Sequence, residues 1–243
     1  MLYCNGNTQG EAMRAAMVGL LMVAACSNGG ASEPARTAER TVALRGFSGV
    51  DLAGPDRVDV VTGRDFAVQA RGDAAVLDRL TFEVKGTTLR IARKPQTGWN
   101  WRDRTAVIRV TLPALKAATL SGSGDLSVDR AADLTAQLTG SGDMTIARLT
   151  GRTAQLGLRG SGTIAAAGRV DSLALSLSGS GDIDARQVKA SQASVAVAGS
   201  GDVSADVDGP AAVSLTGSGS ATLGARARCT VRKAGSGEAR CGG

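Results

Sequence analysis

The stretch Leu138-Thr139-Gly140-Ser141-Gly142-Asp143-Met144 decides how this chain folds, because its Gly-Ser-Gly core returns seven times. The copies begin at Gly122, Gly140, Gly160, Gly179, Gly199, Gly217 and Gly235, in steps of 18, 20, 19, 20, 18 and 18 residues. The residue after each copy is short and polar or acidic: Asp125, Asp143, Thr163, Asp182, Asp202, Ser220 and Glu238. A near-constant period of this size is the signature of a stacked repeat. Hydrophobic residues alternate on both sides of the tripeptide and keep their phase through it, as in Leu134, Ala136, Leu138, Gly140, Gly142, Met144 and Ile146. Period-two alternation means strands with one buried face. The glycines share the inward parity, and Ser and Asp the outward one.

Glycine at a recurring corner has a steric reason: it tolerates positive φ and close backbone approach. The twelve glycines Gly122, Gly124, Gly140, Gly142, Gly160, Gly162, Gly179, Gly181, Gly199, Gly201, Gly217 and Gly219 are therefore read as structural corner residues. Rungs stacked about 4.8 Å apart would pair each strand with its equivalents as parallel sheet. The expectation is an all-β chain, a parallel β-helix or β-solenoid with about 18–20 residues per repeat. Composition agrees, since 2% aromatic content suits a narrow solenoid better than a globular core.

The leader has its own pattern. Met13-Arg14, an alternative start to Met1, is followed by the apolar run 15–25 and then Cys26. A basic start, a short apolar segment and small residues before the break describe a signal peptide, too short to span a membrane. Val23-Ala24-Ala25-Cys26 resembles a bacterial lipobox, which implies cleavage before Cys26 and lipidation there. Ser27, in place of Asp, favours sorting to the outer membrane, facing periplasm or cell surface. Residues 1–26 are thus read as leader, 27–41 as flexible tether and 42–243 as solenoid. Within the solenoid, 42–117 form irregular first coils, 118–238 the repeats and 226–243 a C-terminal cap. The first coils carry short strands such as Val50-Asp51-Leu52 and Val58-Asp59-Val60, with a single helical turn expected within 73–80.

Several residues carry candidate chemistry. Cys229 and Cys241, twelve positions apart, are the natural disulfide pair in an exported protein once Cys26 is lipidated and Cys4 removed. Trp99, Trp101 and Arg102 sit in a basic loop that would either stack sugars or pack on the wall. The column Asp125, Asp143, Asp182 and Asp202 is a weak calcium candidate. Its period does not match calcium-binding nonapeptides, and Thr163 and Ser220 interrupt it. Backbone capping by these side chains is the favoured reading, so no metal and no cofactor is expected, and calcium should leave the melting temperature nearly unchanged.

There is no histidine, which removes His-based triads and zinc sites. The net charge of +6 is spread along the chain rather than clustered, so no nucleic-acid partner is expected. Rungs that vary by two residues leave little material for a catalytic cleft.

The strands of 47–115, Thr111-Leu112-Pro113-Ala114-Leu115 and Leu120-Ser121-Gly122-Ser123-Gly124-Asp125-Leu126 resemble the bacterial head GIN domain family, labelled as an autotransporter adhesin head. The resemblance covers about residues 45–225 and implies a right-handed parallel β-helix in an exported protein, with no catalytic residues to carry over. The expected role is a lipid-anchored, non-catalytic envelope binding module with a glycan or envelope-protein partner; self-association into a homo-oligomer is a further option. The alternatives are a purely structural spacer and, third, a polysaccharide-active enzyme.

Overall fold

The computed structural model describes residues 37–95 and 105–242. The leader, Cys26, the first part of the tether and Trp99, Trp101 and Arg102 lie outside the described residues.

The repeats stack as their spacing requires. Gly122, Gly140, Gly160, Gly179, Gly199 and Gly217 follow one another in register through parallel strands. Rungs are built from three walls. A long wall such as Thr153–Gly160 runs into the Gly-Ser-Gly corner, and the second wall begins with the residue after it. Thr163–Gly179 and Asp182–Gly199 each continue round the whole remaining circuit as one strand. Their bends are marked by two successive exposed residues, Arg186-Gln187 and Ser191-Gln192 in one rung. Two outward side chains in a row break the period of two and turn the chain, so the alternation that survives the glycine corner is reset at these bends.

The interior is filled by ladders of identical position. Leu120, Leu138, Leu158, Leu177, Val197 and Leu215 form one in-register column, each at most 3% exposed. Met144, Ile164, Ile183, Val203 and Ala221 form a second across the corner. A leucine buried this fully contributes about 2 kcal/mol, and each rung obtains that only from its two neighbours.

The first coils do not stack in chain order. Val50 of Gly49–Ala53 pairs with Leu89 on one side and Ala118 on the other, so the first rung in sequence is the second in the stack. After Arg57–Thr62 the chain leaves through Ala67–Asp73, a helical turn Ala74–Leu77 and the hairpin Leu80–Lys85/Thr88–Arg93. It thereby lays the outermost rung, Thr88–Arg93 with Val107–Leu112, before crossing back to Ala117–Gly122. Antiparallel strands then cover both outer edges: Leu80–Lys85 on one, and Ala67–Asp73 followed by Thr37–Val42 on the other. Covering edges in this way removes a template for aggregation. Thr37–Val42 is a correction to the sequence reading, which placed residues 37–41 in a flexible tether; they are held instead by pairing with Ala67–Asp73. The tether lacked an apolar face because this strand is mostly exposed.

The opposite end is finished differently. Arg228–Ala234 pairs with Pro210–Gly217, and no described strand covers its far side. Its inward positions Cys229, Val231 and Lys233 continue the columns of Ala211, Val213 and Leu215, yet Val231 is 44% exposed and Lys233 is exposed too. Cys229 and Cys241 are joined, with an S–S distance of 2.03 Å, across this last rung. The region expected as a separate cap from residue 226 is thus one more rung, closed by a disulfide and carrying an inward lysine.

Candidate functional site

The corner is the most regular surface of the molecule, and backbone contacts build it. The first glycine of each tripeptide has positive φ, from 109° at Gly217 to 134° at Gly179. Its carbonyl accepts two N–H groups from the next rung: Ser141 and Gly142 donate to Gly122 at 3.0 and 3.1 Å. A Cβ on Gly140 would lie 2.2 Å from the Gly122 oxygen, and one on Gly162 would lie 2.1 Å from the Gly142 oxygen. The first glycine is half-exposed, or exposed at Gly122 and Gly235, and the second buried, so only the second matches the inward placement expected of both. Crowding at the corner runs mainly along the stack, against the rung below, with the Leu138 methyl 3.0 Å from the Cβ position of Gly162.

The acidic column stands on this corner. Asp125, Asp143, Thr163 and Asp182 are in register, and Asp202 and Ser220 continue the column. The Asp182 carboxylate accepts the Asp202 N–H at 3.1 Å, and the Asp202 carboxylate accepts the Ser220 N–H at 3.1 Å. These side chains thus bridge one rung to the next through backbone donors. Among the described residues no three acidic or cysteine side chains converge as a cation site.

An eighth corner escaped the motif search. Gly54-Pro55-Asp56 sits under Gly122-Ser123-Gly124: Gly124 donates to the Gly54 carbonyl at 3.0 Å and Asp125 to the Asp56 carbonyl at 3.0 Å. Leu52 and Val58 flank Gly54 at the same offsets as Leu120 and Leu126 flank Gly122, which was the available signal. Asp56 replaces the second glycine, is 1% exposed and is the one buried charged residue among those described. The Arg93 guanidinium grips both its oxygens, with Nε 2.7 Å from Oδ2. The Ala106 N–H donates to Oδ1 at 2.8 Å. A buried carboxylate needs this full set of donors to offset its lost hydration.

That arrangement ties together the described residues on either side of the segment that carries Trp99 and Trp101. Ala92 pairs with Ala53 and Val107 with Arg57, so three corner residues in one rung are matched by fourteen, 93–106, in the next. Arg93 and Ala106 stand at the two ends of this insertion, and both are tied to Asp56.

Two further acids are tuned by local donors. Asp133, a non-glycine residue at φ 53°, accepts the N–H groups of Thr153 at 3.1 Å and Arg152 at 2.8 Å, which hold its carboxyl below the usual carboxylate range. The Arg186 guanidinium does the same for Asp184.

The long wall is chemically quiet. Its central outward column reads Thr119, Gln137, Gly157, Ser176, Ala196 and Ser214, and the next reads Ser121, Thr139, Arg159, Ser178, Ala198 and Thr216. Arg159 is the one charge among these twelve residues; the first column ends in Arg232 on one side and in Asp51 and Arg90 on the other.

Known proteins of the same build are recognisable. A putative adhesin from Bacteroides fragilis NCTC 9343 has a similar structure, with TM-score 0.77 and 20% identity over 85% of this chain and 97% of that one. A putative lipid binding protein from Parabacteroides distasonis ATCC 8503 gives TM-score 0.65 and 20% identity, covering 84% and 96%. A putative adhesin from the same Parabacteroides strain gives 0.59 and 18%, covering 85% and 97%. At these identities the likeness is one of fold. No curated protein matches the chain. The profile of the family described as "Putative auto-transporter adhesin, head GIN domain" matches residues 46–227. The chain belongs to this head GIN domain family.

Proposed function

We propose that the protein is an exported, lipid-anchored module of the outer membrane that binds an envelope or surface partner without catalysis, in the manner of an adhesin. The observation that carries this reading is the contrast between constant rungs and one enlarged corner. Rungs of near-equal length give regular walls, whereas one corner carries a fourteen-residue insertion, 93–106, whose ends Arg93 and Ala106 are both tied to Asp56. Binding residues on a loop held by a rigid scaffold are a recurrent arrangement. Trp99, Trp101 and Arg102 lie in that loop and supply flat apolar rings and a cation suited to a glycan. The Val23-Ala24-Ala25-Cys26 pattern supports the anchor.

Glycan-array binding and envelope capture by the purified protein test the reading. Saturable binding that is lost on Trp99→Ala with Trp101→Ala is expected. Absence of any saturable partner would leave the spacer role in its place. Cys26→Ala is expected to move the protein from the membrane fraction to the soluble one.

A further inference from the structure

A groove of about 350 Å³ crosses the third wall. Its sides come from successive rungs: Arg169 and Asp171, then Lys189 and Ser191, then Asp208, then Arg226. Buried Val170 and Ala190 form its floor.

One contact in this groove is not arranged for stability. Arg169 and Lys189 are directly opposed in parallel register, so two exposed cations stack one rung apart. Like charges directly opposite on neighbouring strands are destabilising. Neither side chain forms an ion pair with another described residue, although Asp206 follows Lys189 in register on the far side. Arg226 behaves differently and pairs with Asp208 at 3.3 Å. Arg90, Arg186 and Arg240 are likewise each paired with an acid on the same or the next rung. The groove therefore holds two adjacent cations without an ion-pair partner among the described residues, beside the Asp171 carboxylate and the Ser191 hydroxyl.

We infer that this groove binds an anionic carbohydrate segment. Arg169 and Lys189 receive its carboxylate or phosphate through charge-assisted hydrogen bonds, and Asp171 and Ser191 take neighbouring sugar hydroxyls. The inference rests on the reading of the protein as an envelope binding module and names a ligand class at a second position. An anion placed between the cations converts their repulsion into attraction. This is the usual exchange of stability for function at a binding site.

Titration calorimetry of the intact chain with trigalacturonate, at low and at physiological salt, tests it. The neutral trisaccharide maltotriose is the control, and inorganic phosphate the competitor. Saturable trigalacturonate binding that weakens at least about ten-fold in Arg169→Ala and in Lys189→Ala, and weakens with salt, is expected. Arg169→Ala should melt no lower than the parent, because it removes the charge directly opposed to Lys189. Trigalacturonate should raise the melting temperature of the parent but not of the variants. Displacement by phosphate would point to a phosphate-bearing sugar and its failure to a uronate; either supports the site. No saturable trigalacturonate binding, binding indifferent to both substitutions, or equal binding of maltotriose would overturn the inference. Envelope capture measured alongside separates the two readings. Capture that persists without trigalacturonate binding removes this groove alone, and trigalacturonate binding without capture removes the wider adhesin-like role.

Discussion

The corner at Gly160-Ser161-Gly162 and the corner at Gly54-Pro55-Asp56 turn the chain at the same place in the rung by opposite chemistry. In the repeats the turn is made by removing atoms. Both glycines let the next rung's backbone come within contact distance, and carbonyl-to-N–H bonds then tie the rungs together. At the capped end the second glycine becomes Asp56 and the position opposite Gly54 becomes Arg93, so an ion pair fills the space. The first solution can be copied indefinitely because every rung needs the same small corner beneath it. The second cannot be stacked further, and it occurs where the stack ends and a loop has to be attached.

The two chemistries should fail differently. Gly160→Ala combines an unfavourable φ of 127° with a Cβ 2.2 Å from the Gly140 oxygen. Nothing in a backbone corner can yield cheaply, so a loss above about 4 kcal/mol is expected, read as a fall in the urea midpoint. Gly86→Ala is the control. It shares a positive φ of 60° but meets no atom within 4 Å, and should cost only about 1–2 kcal/mol. Equal costs at the two glycines would show that dihedral strain, rather than contact between rungs, sets the corner.

At the other corner, Asp56→Ala removes the nearly buried carboxylate that the Arg93 guanidinium and the Ala106 N–H share. About 3 kcal/mol is the expected loss, together with faster proteolytic cleavage between residues 94 and 105. The double change Asp56→Gly with Arg93→Gly rewrites this corner in the language of the repeats. It should cost much less than the two single changes added, since neither charge is left stranded. Additive losses would mean that the ion pair is incidental to the turn.

Much of the stack was legible from residue spacing, and the reason is physical. A period of 18–20 residues, a glycine pair and an alternation that keeps phase through it are all enforced by contact with an identical neighbour. Leu138, Met144 and Ser141 therefore lie where parity places them, the first two buried and the last exposed. The first coils obey no such constraint. Val50 meets Ala118 across 68 positions of chain, a jump that no local pattern records. The Asp56–Arg93 pair was equally hidden, because a single Asp in a Gly-Pro-Asp turn looks like an ordinary capping residue until Arg93 is placed beside it. Thr37–Val42 lacked a signal for another reason: an edge strand exposed on most positions has no hydrophobic period to show.

The two ends of the stack extend the contrast. One is covered by antiparallel strands and a helical turn, the other by a disulfide and an inward lysine. Cys229→Ser with Cys241→Ser should cost about 2–3 kcal/mol if the chain-entropy account holds. Because rungs communicate only with their neighbours, the loss should be local. Hydrogen exchange is expected to quicken across 228–240 and to stay slow at 135–199. Loss of protection along the whole stack would mean that the last rung nucleates the others.

The smallest effect is expected at Asp133, a corner of intermediate type in which a carboxylate at positive φ caps the N–H groups of Arg152 and Thr153. Those donors lower its pKa in the folded chain below the ordinary value of 3.8. A depressed folded pKa stabilises above the unfolded value and loses that stabilisation as pH falls from there through the folded pKa. Stability should therefore decline as the pH drops below about 4. Asn can hold the same positive φ, so Asp133→Asn should keep the turn while removing this group's share of the acid dependence. A pH profile unchanged by the substitution would assign the acid sensitivity to Asp184 and Glu238 instead, whose carboxyls Arg186 and Arg240 hold below the usual range. The Gly-Ser-Gly corners themselves, held by backbone bonds that carry no titratable group, should contribute none of it.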